Sequence, residues 1–176
     1  AQIDNSMDGF NARVYPVLVD SKHPLAAIRG ALNAVLVEGE NINQLVFSGP
    51  GAGSAPTASA IIGDVFSACH QMLSSQTNWY PLRTPKSGDK EFKDVQSSWF
   101  IRLSVTDEPG VLATIAGLFG ENNVSIESVI QEGRGDNAEL VLVTHEAEEN
   151  NLTSSIESIS KLSSVSSVTS TIRVYI

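Results

Sequence analysis

Trp99, Ile101, Leu103 and Val105 alternate with Arg102, Ser104 and Thr106, the two-residue period of a half-buried strand. After Asp107-Glu108-Pro109-Gly110 the spacing changes. Val111, Leu112, Ile115, Leu118 and Phe119 fall on one face of a 3.6-residue helix. Pro109 is expected at a first-turn position, where a missing N–H costs nothing, and Gly110 lets the backbone approach another group. Two further strands are predicted, Val124–Ile130 and Glu139–His145, joined by the turn-rich run Glu132–Asn137. Leu152, Ile156, Ile159 and Leu162 mark a second amphipathic helix. Val168, Ser170, Ile172, Val174 and Ile176 then alternate as a last strand. The resulting order, β-α-β-β-α-β, is that of a ferredoxin-like unit.

Upstream the pattern is less regular. Ala1–Asn11 is polar and turn-like, and Arg13–Val19 is a strand candidate in which Pro16 suits an edge or bulge. Asn33–Val37 and Gln44–Phe47 read as a hairpin across Glu38-Gly39-Glu40-Asn41. Beyond Gly49-Pro50-Gly51-Ala52-Gly53, the residues Ala58, Ile61, Ile62, Val65, Cys69, Met72 and Leu73 form a stripe at helical spacing, with Cys69 and Met72 expected as core filler. Ser74–Ser97, rich in Ser and Pro with a mixed charge run, is the linker candidate; Trp79, Tyr80 and Leu82 are expected to anchor part of it.

The chain has 176 residues, room for one or two domains, and is 41% hydrophobic, enough for a core. No apolar run approaches the roughly 18 residues needed to span a bilayer, and no signal-like segment opens the chain. With one cysteine there is no internal disulfide, and no Cys/His spacing suggests zinc. A cytoplasmic protein is the expectation. The net charge of −9 argues against nucleic acid, whose phosphates call for clustered Lys and Arg. The acidity concentrates from Ser98 onward, eleven acidic residues against four basic, and reads as a solvated surface. The chain also opens without Met and enters a buried-looking strand within about fifteen residues, so it is expected to be a piece of something longer.

Two stretches carry candidate chemistry. At Asp107–Leu112, free helix-start amides, the positive end of a helix dipole and a carboxylate lie together, which suits an amino acid with its ammonium and carboxylate groups. A helix N-cap is the structural role open to Asp107, and a helix C-terminal turn the one open to Asn122 and Asn123. The glycine run Gly49–Gly53, between a strand and a helix start, suits close approach of a phosphate or a cofactor edge, or a plain tight turn. It is not a dinucleotide fingerprint: the spacing is Gly-x-Gly-x-Gly, and the strands before it look like a hairpin. His23, His70 and His145 read as structural.

The Asp-x-Pro-Gly-Val-Leu start, with Asn122-Asn123-Val124-Ser125-Ile126 after the first helix, resembles an ACT domain, the small-ligand module of amino-acid metabolism. The first part resembles the end of the catalytic part of homoserine dehydrogenase, through Arg13-Val14-Tyr15-Pro16-Val17-Leu18-Val19, His23-Pro24-Leu25-Ala26, Asn33-Ala34-Val35, the Gly-Pro-Gly-Ala-Gly loop, Pro56-Thr57-Ala58 and Asp64. Together they imply an α+β chain. Residues 1–74 form a partial catalytic-domain remnant of strands plus helix, 75–97 a linker and 98–176 a ferredoxin-like βαββαβ ACT domain.

The resemblance implies a parent NAD(P)-dependent oxidoreductase that interconverts L-aspartate 4-semialdehyde and L-homoserine. Its catalytic residues are expected upstream, so this chain alone should be inert. Gly53, with Gly49, Gly51 and Thr57 shaping the turn, is expected to contact NAD(P) in the complete enzyme; the chain alone is not expected to bind it tightly. L-Threonine is the implied feedback effector, at Asp107, Gly110, Val111, Leu112, Asn123, Ile126 and Gln131. Family ACT sites often lie where this loop meets a partner's strand, so a homodimer through ACT and catalytic-remnant surfaces is expected, with no metal, nucleic acid or membrane involved. The contrasting possibility is a stand-alone amino-acid-binding regulator without enzymatic activity.

Overall fold

The computed structural model describes residues 2–6, 9–74, 95–133 and 138–175. Most of the linker candidate and part of the Glu132–Asn137 turn lie outside them. The chain divides into two compact units, Ala1–Val19 with Pro85–Ile176, and Asp20–Thr84.

In the first unit, strand β6 (Gln96–Val105) leads to helix α2 (Val111–Glu121), followed by β7 (Ile126–Glu132), β8 (Ala138–Thr144), the short β9 (Ala147–Glu148), helix α3 (Glu149–Ile159) and β10 (Val165–Tyr175). The predicted β-α-β-β-α-β order is therefore present. β6 lies between β10 and β8, β7 lies outside β8, and all three pairings are antiparallel. Strict alternation explains this sheet. Ile101, Leu103 and Val105 of β6 and Ala138, Leu140, Leu142 and Thr144 of β8 are all buried on one face. Ile115 and Phe119 of α2, and Leu152 and Ile159 of α3, complete the same core. The opposite face is polar enough to hold an exposed Arg102–Glu139 pair.

Two additions to this unit were not anticipated. The polar start forms a hairpin, β1 (Gln2–Ser6) with β2 (Gly9–Arg13), rather than an irregular turn. Its backbone pairing needs no apolar alternation, so periodicity did not reveal it. The predicted strand Arg13–Val19 is divided: Arg13 ends β2, and β3 (Val17–Val19) forms a separate strand parallel to β10. β3 thus adds an edge strand to the ferredoxin-like sheet.

The second unit holds a 3-10 turn (Pro24–Ala27), the hairpin of β4 (Leu32–Gly39) and β5 (Asn43–Pro50), and helix α1 (Ser54–Ser74). His23 has the structural role expected of it: its Nδ1 accepts from the Leu25 amide at 3.2 Å and caps the 3-10 turn. The helical stripe does not. Cys69 is exposed and Met72 is 83% exposed, so neither is core filler here; Ile61, Ile62 and Val65 are each more than half exposed. Helical spacing marks a face for burial but does not supply what covers it.

Candidate effector cleft and glycine loop

At the end of β6, the Thr106 amide donates to the Ser164 carbonyl, 2.9 Å, which fixes where the chain leaves the sheet. The loop closes through Glu108 N–H to Thr106 O and Val111 N–H to Glu108 O. Gly110, not Asp107, is the N-cap of α2, with φ 95° and ψ −15°. In that left-handed region a Cβ is strained, which accounts for glycine at this position. Pro109 therefore stands just outside the helix instead of in its first turn. Thr114 makes the first intrahelical bond, to Gly110 O at 2.9 Å, and the Leu112 and Ala113 amides precede it without an acceptor inside the helix.

Because no side chain caps the helix, the Asp107 carboxylate is committed elsewhere: its Oδ1 accepts from Gln131 Nε2 at 2.8 Å. This bond joins the β6–α2 loop to β7 across 24 residues of sequence. Between them is a cleft of about 300 Å³, counting its part open to solvent. Val105 and Leu140 come to it from the sheet, Thr106 to Glu108 from the loop, Gly110 to Leu112 from the helix start, and Gln131 from β7. Five of the seven sequence-based effector residues, Asp107, Gly110, Val111, Leu112 and Gln131, are thus gathered at one place.

Asn123 and Ile126 do not line the cleft within one chain. They follow the far end of α2, whose eleven residues span about 16 Å. Asn123 has φ 57° and donates its amide to Gly120 O, the helix C-terminal geometry that asparagine tolerates. Ile126 is partly buried against the core. Thr106 and Glu108 also line the cleft; their only sequence signal is that they flank Asp107 in the same loop.

The glycine loop connects β5 to α1 in the second unit. Gly49 lies in β5, the Gly51 amide donates to Ala31 O at 3.2 Å, and Gly53 has φ 134°, open to glycine and rarely to other residues. The Thr57 amide donates to Gly53 O at 3.1 Å, opening α1, and no acidic side chain occupies the first turn. The exposed loop, its glycines and the uncontested positive end of a 21-residue helix fit an anionic or strongly polar cofactor edge. Among the described residues no group of three or more His, Cys, Asp or Glu could hold a metal. Among the described residues no helix is long and apolar enough to cross a membrane.

Comparison with known proteins matches each half of the chain to a family. Residues 1–66 match the homoserine dehydrogenase family model and residues 99–164 the ACT domain model. The chain is 38% identical to a homoserine dehydrogenase of Mycobacterium tuberculosis over 182 residues, covering 97% of this chain and 40% of that protein. It is 36% identical to a homoserine dehydrogenase of Corynebacterium glutamicum, covering 93% of this chain and 37% of that one. A crystal structure of a homoserine dehydrogenase from Thiobacillus denitrificans superposes with a TM-score of 0.87 at 27% identity, over 98% of this chain and 41% of that one. The chain spans about 40% of the length of these relatives. Two family models therefore match in succession, homoserine dehydrogenase over residues 1–66 and ACT over residues 99–164.

Proposed function

We propose that this chain is part of a homoserine dehydrogenase, the NAD(P)-dependent oxidoreductase that interconverts L-aspartate 4-semialdehyde and L-homoserine, and that its ACT half binds L-threonine as a feedback effector. The observation that carries the effector reading is the convergence of the Asp107–Gln131 pair and the start of α2 on one cleft. The Leu112 and Ala113 amides and the helix dipole suit a carboxylate. Asp107, held in place by Gln131, supplies the negative charge for an ammonium group. Val111 and Leu112 at the helix start give a short aliphatic wall, suited to a small side chain. In a dimer, Asn123 and Ile126 of a second copy would reach the cleft that they do not reach within one chain.

In the complete enzyme the nicotinamide cofactor supplies or accepts the hydride. Gly53, Gly49, Gly51 and Thr57 are the residues of this chain that would hold an edge of it, by backbone approach and the helix N-terminus.

Calorimetric titration of the chain with L-threonine, against L-isoleucine, L-methionine and L-serine, tests the effector reading. Saturable, threonine-selective heat is expected, weakened about tenfold or more in Asp107→Ala, which removes a charge-assisted contact. Absence of heat with all four, in a folded sample, removes the effector reading. The enzyme reading is tested separately, by homoserine-dependent reduction of NAD(P) by the full-length protein that contains this chain.

A further inference from the structure

β3 is an improbable strand by its own means. It has three residues, and Val17 and Leu18 leave about two fifths of their surface exposed. Three backbone pairs to β10 and so little burial do not hold a strand end against fraying. The register supplies what the strand lacks. Val17 pairs with Arg173 on β10, and Arg173 pairs with Trp99 on β6, so the three residues form one row across the sheet. The Arg173 guanidinium stacks over the Trp99 ring on one strand and over the Tyr15 ring of the segment entering β3, 4.3 Å from each centroid. Its Nη2 donates to both carboxylate oxygens of Glu149, 2.7 Å each, at the first turn of α3, where a carboxylate also suits the helix dipole. This ion pair is mostly buried, 14% and 21% exposed. The Tyr15 hydroxyl donates to Gln2 at 2.6 Å, tying the β1–β2 hairpin to the same point.

We propose that Tyr15, Arg173, Trp99 and Glu149 form a latch that docks residues 14–19 onto the edge of the ACT sheet, and that this segment has a docked and a released state set by the latch. Val19 is followed by Asp20, the first residue of the other unit, so the latch fixes where the chain departs from the regulatory sheet. The chemistry is specific to its residues. A planar guanidinium can be covered on its faces by rings while its edge donates to a carboxylate, whereas an ammonium or a neutral amide does not combine these roles. Three members lie within the ferredoxin-like unit, on β6, α3 and β10. Tyr15 alone belongs to the docked segment, so removing its ring weakens docking without opening the core.

Hydrogen exchange of the whole chain, read by mass spectrometry, tests this. In Arg173→Gln and in Tyr15→Leu, the amides of Val17–Val19 are expected to exchange at least tenfold faster than in the wild type, with β8 and α2 within twofold. Tyr15→Phe, which keeps the ring, is expected to stay close to the wild type. Unchanged protection of Val17–Val19 in Tyr15→Leu overturns the latch. So does an equal rise of exchange throughout β8 and α2, which would make these residues part of the global core rather than a local dock. Tyr15→Leu decides the matter alone if Arg173→Gln does not fold.

Discussion

The ACT unit and the Asp20–Thr84 unit have comparable apolar patterns and opposite fates. In the first, the alternating residues of β6 and β8 meet the helical stripes of α2 and α3, and Phe119, Ile101 and Leu103 lose essentially all contact with solvent. In the second, Phe47 and Phe66 keep 62% and 72% of their exposure. A sheet face and a helix stripe are each half of an interface, and burial requires the other half to be within reach. The ACT unit contains both halves. The hairpin and α1 present faces that, among the described residues, remain largely open, in a chain that spans about 40% of its relatives.

The largest expected effect comes from the closed core. Phe119→Ala should lower the unfolding free energy of the ACT unit by about 3–5 kcal/mol, measured by urea denaturation, because the cavity sits among residues that cannot collapse into it. A loss under about 1 kcal/mol would mean that this core is loosely packed, and the contrast would fail. Next, Gly110→Ala should cost about 1–2 kcal/mol through φ 95° alone, since an added Cβ meets no other atom there. A neutral result would show that the loop relaxes and that the cleft is not rigid. Arg102→Gln on the exposed sheet face should cost about 0.5 kcal/mol or less, and the difference should vanish in 1 M salt, since both partners are roughly half exposed. The smallest effect belongs to the open unit. Phe66→Ala should change stability by less than about 0.5 kcal/mol in this chain. In the full-length protein the same substitution should cost several times more if that face is covered there, and an equal result in both would remove the explanation given for the contrast.

The candidate site was partly legible for the same reason. The change of period at Asp107–Gly110 placed a strand-to-helix loop with free amides, which is local information. Two details of that loop differ from expectation, by two residues for Pro109 and three for the cap. Proline and aspartate each fit a helix start, but the left-handed Gly110 takes the cap and leaves Asp107 free for Gln131. Asn123 and Ile126 are near the loop in sequence only through α2, and the length of that helix separates them from the cleft.

The β-α-β-β-α-β order, the β4–β5 hairpin, the long α1 and the loop that opens the cleft are all legible in the residues alone. Each of these follows from side-chain spacing or turn residues within a few positions. That Gln131 meets Asp107, that β3 joins β10 in parallel, and that Arg173 stacks over Tyr15 and Trp99 emerges only once the chain is folded. These contacts join residues tens to more than a hundred positions apart. Their partners are chosen by strand register and by which face a helix turns inward, and no local period encodes either.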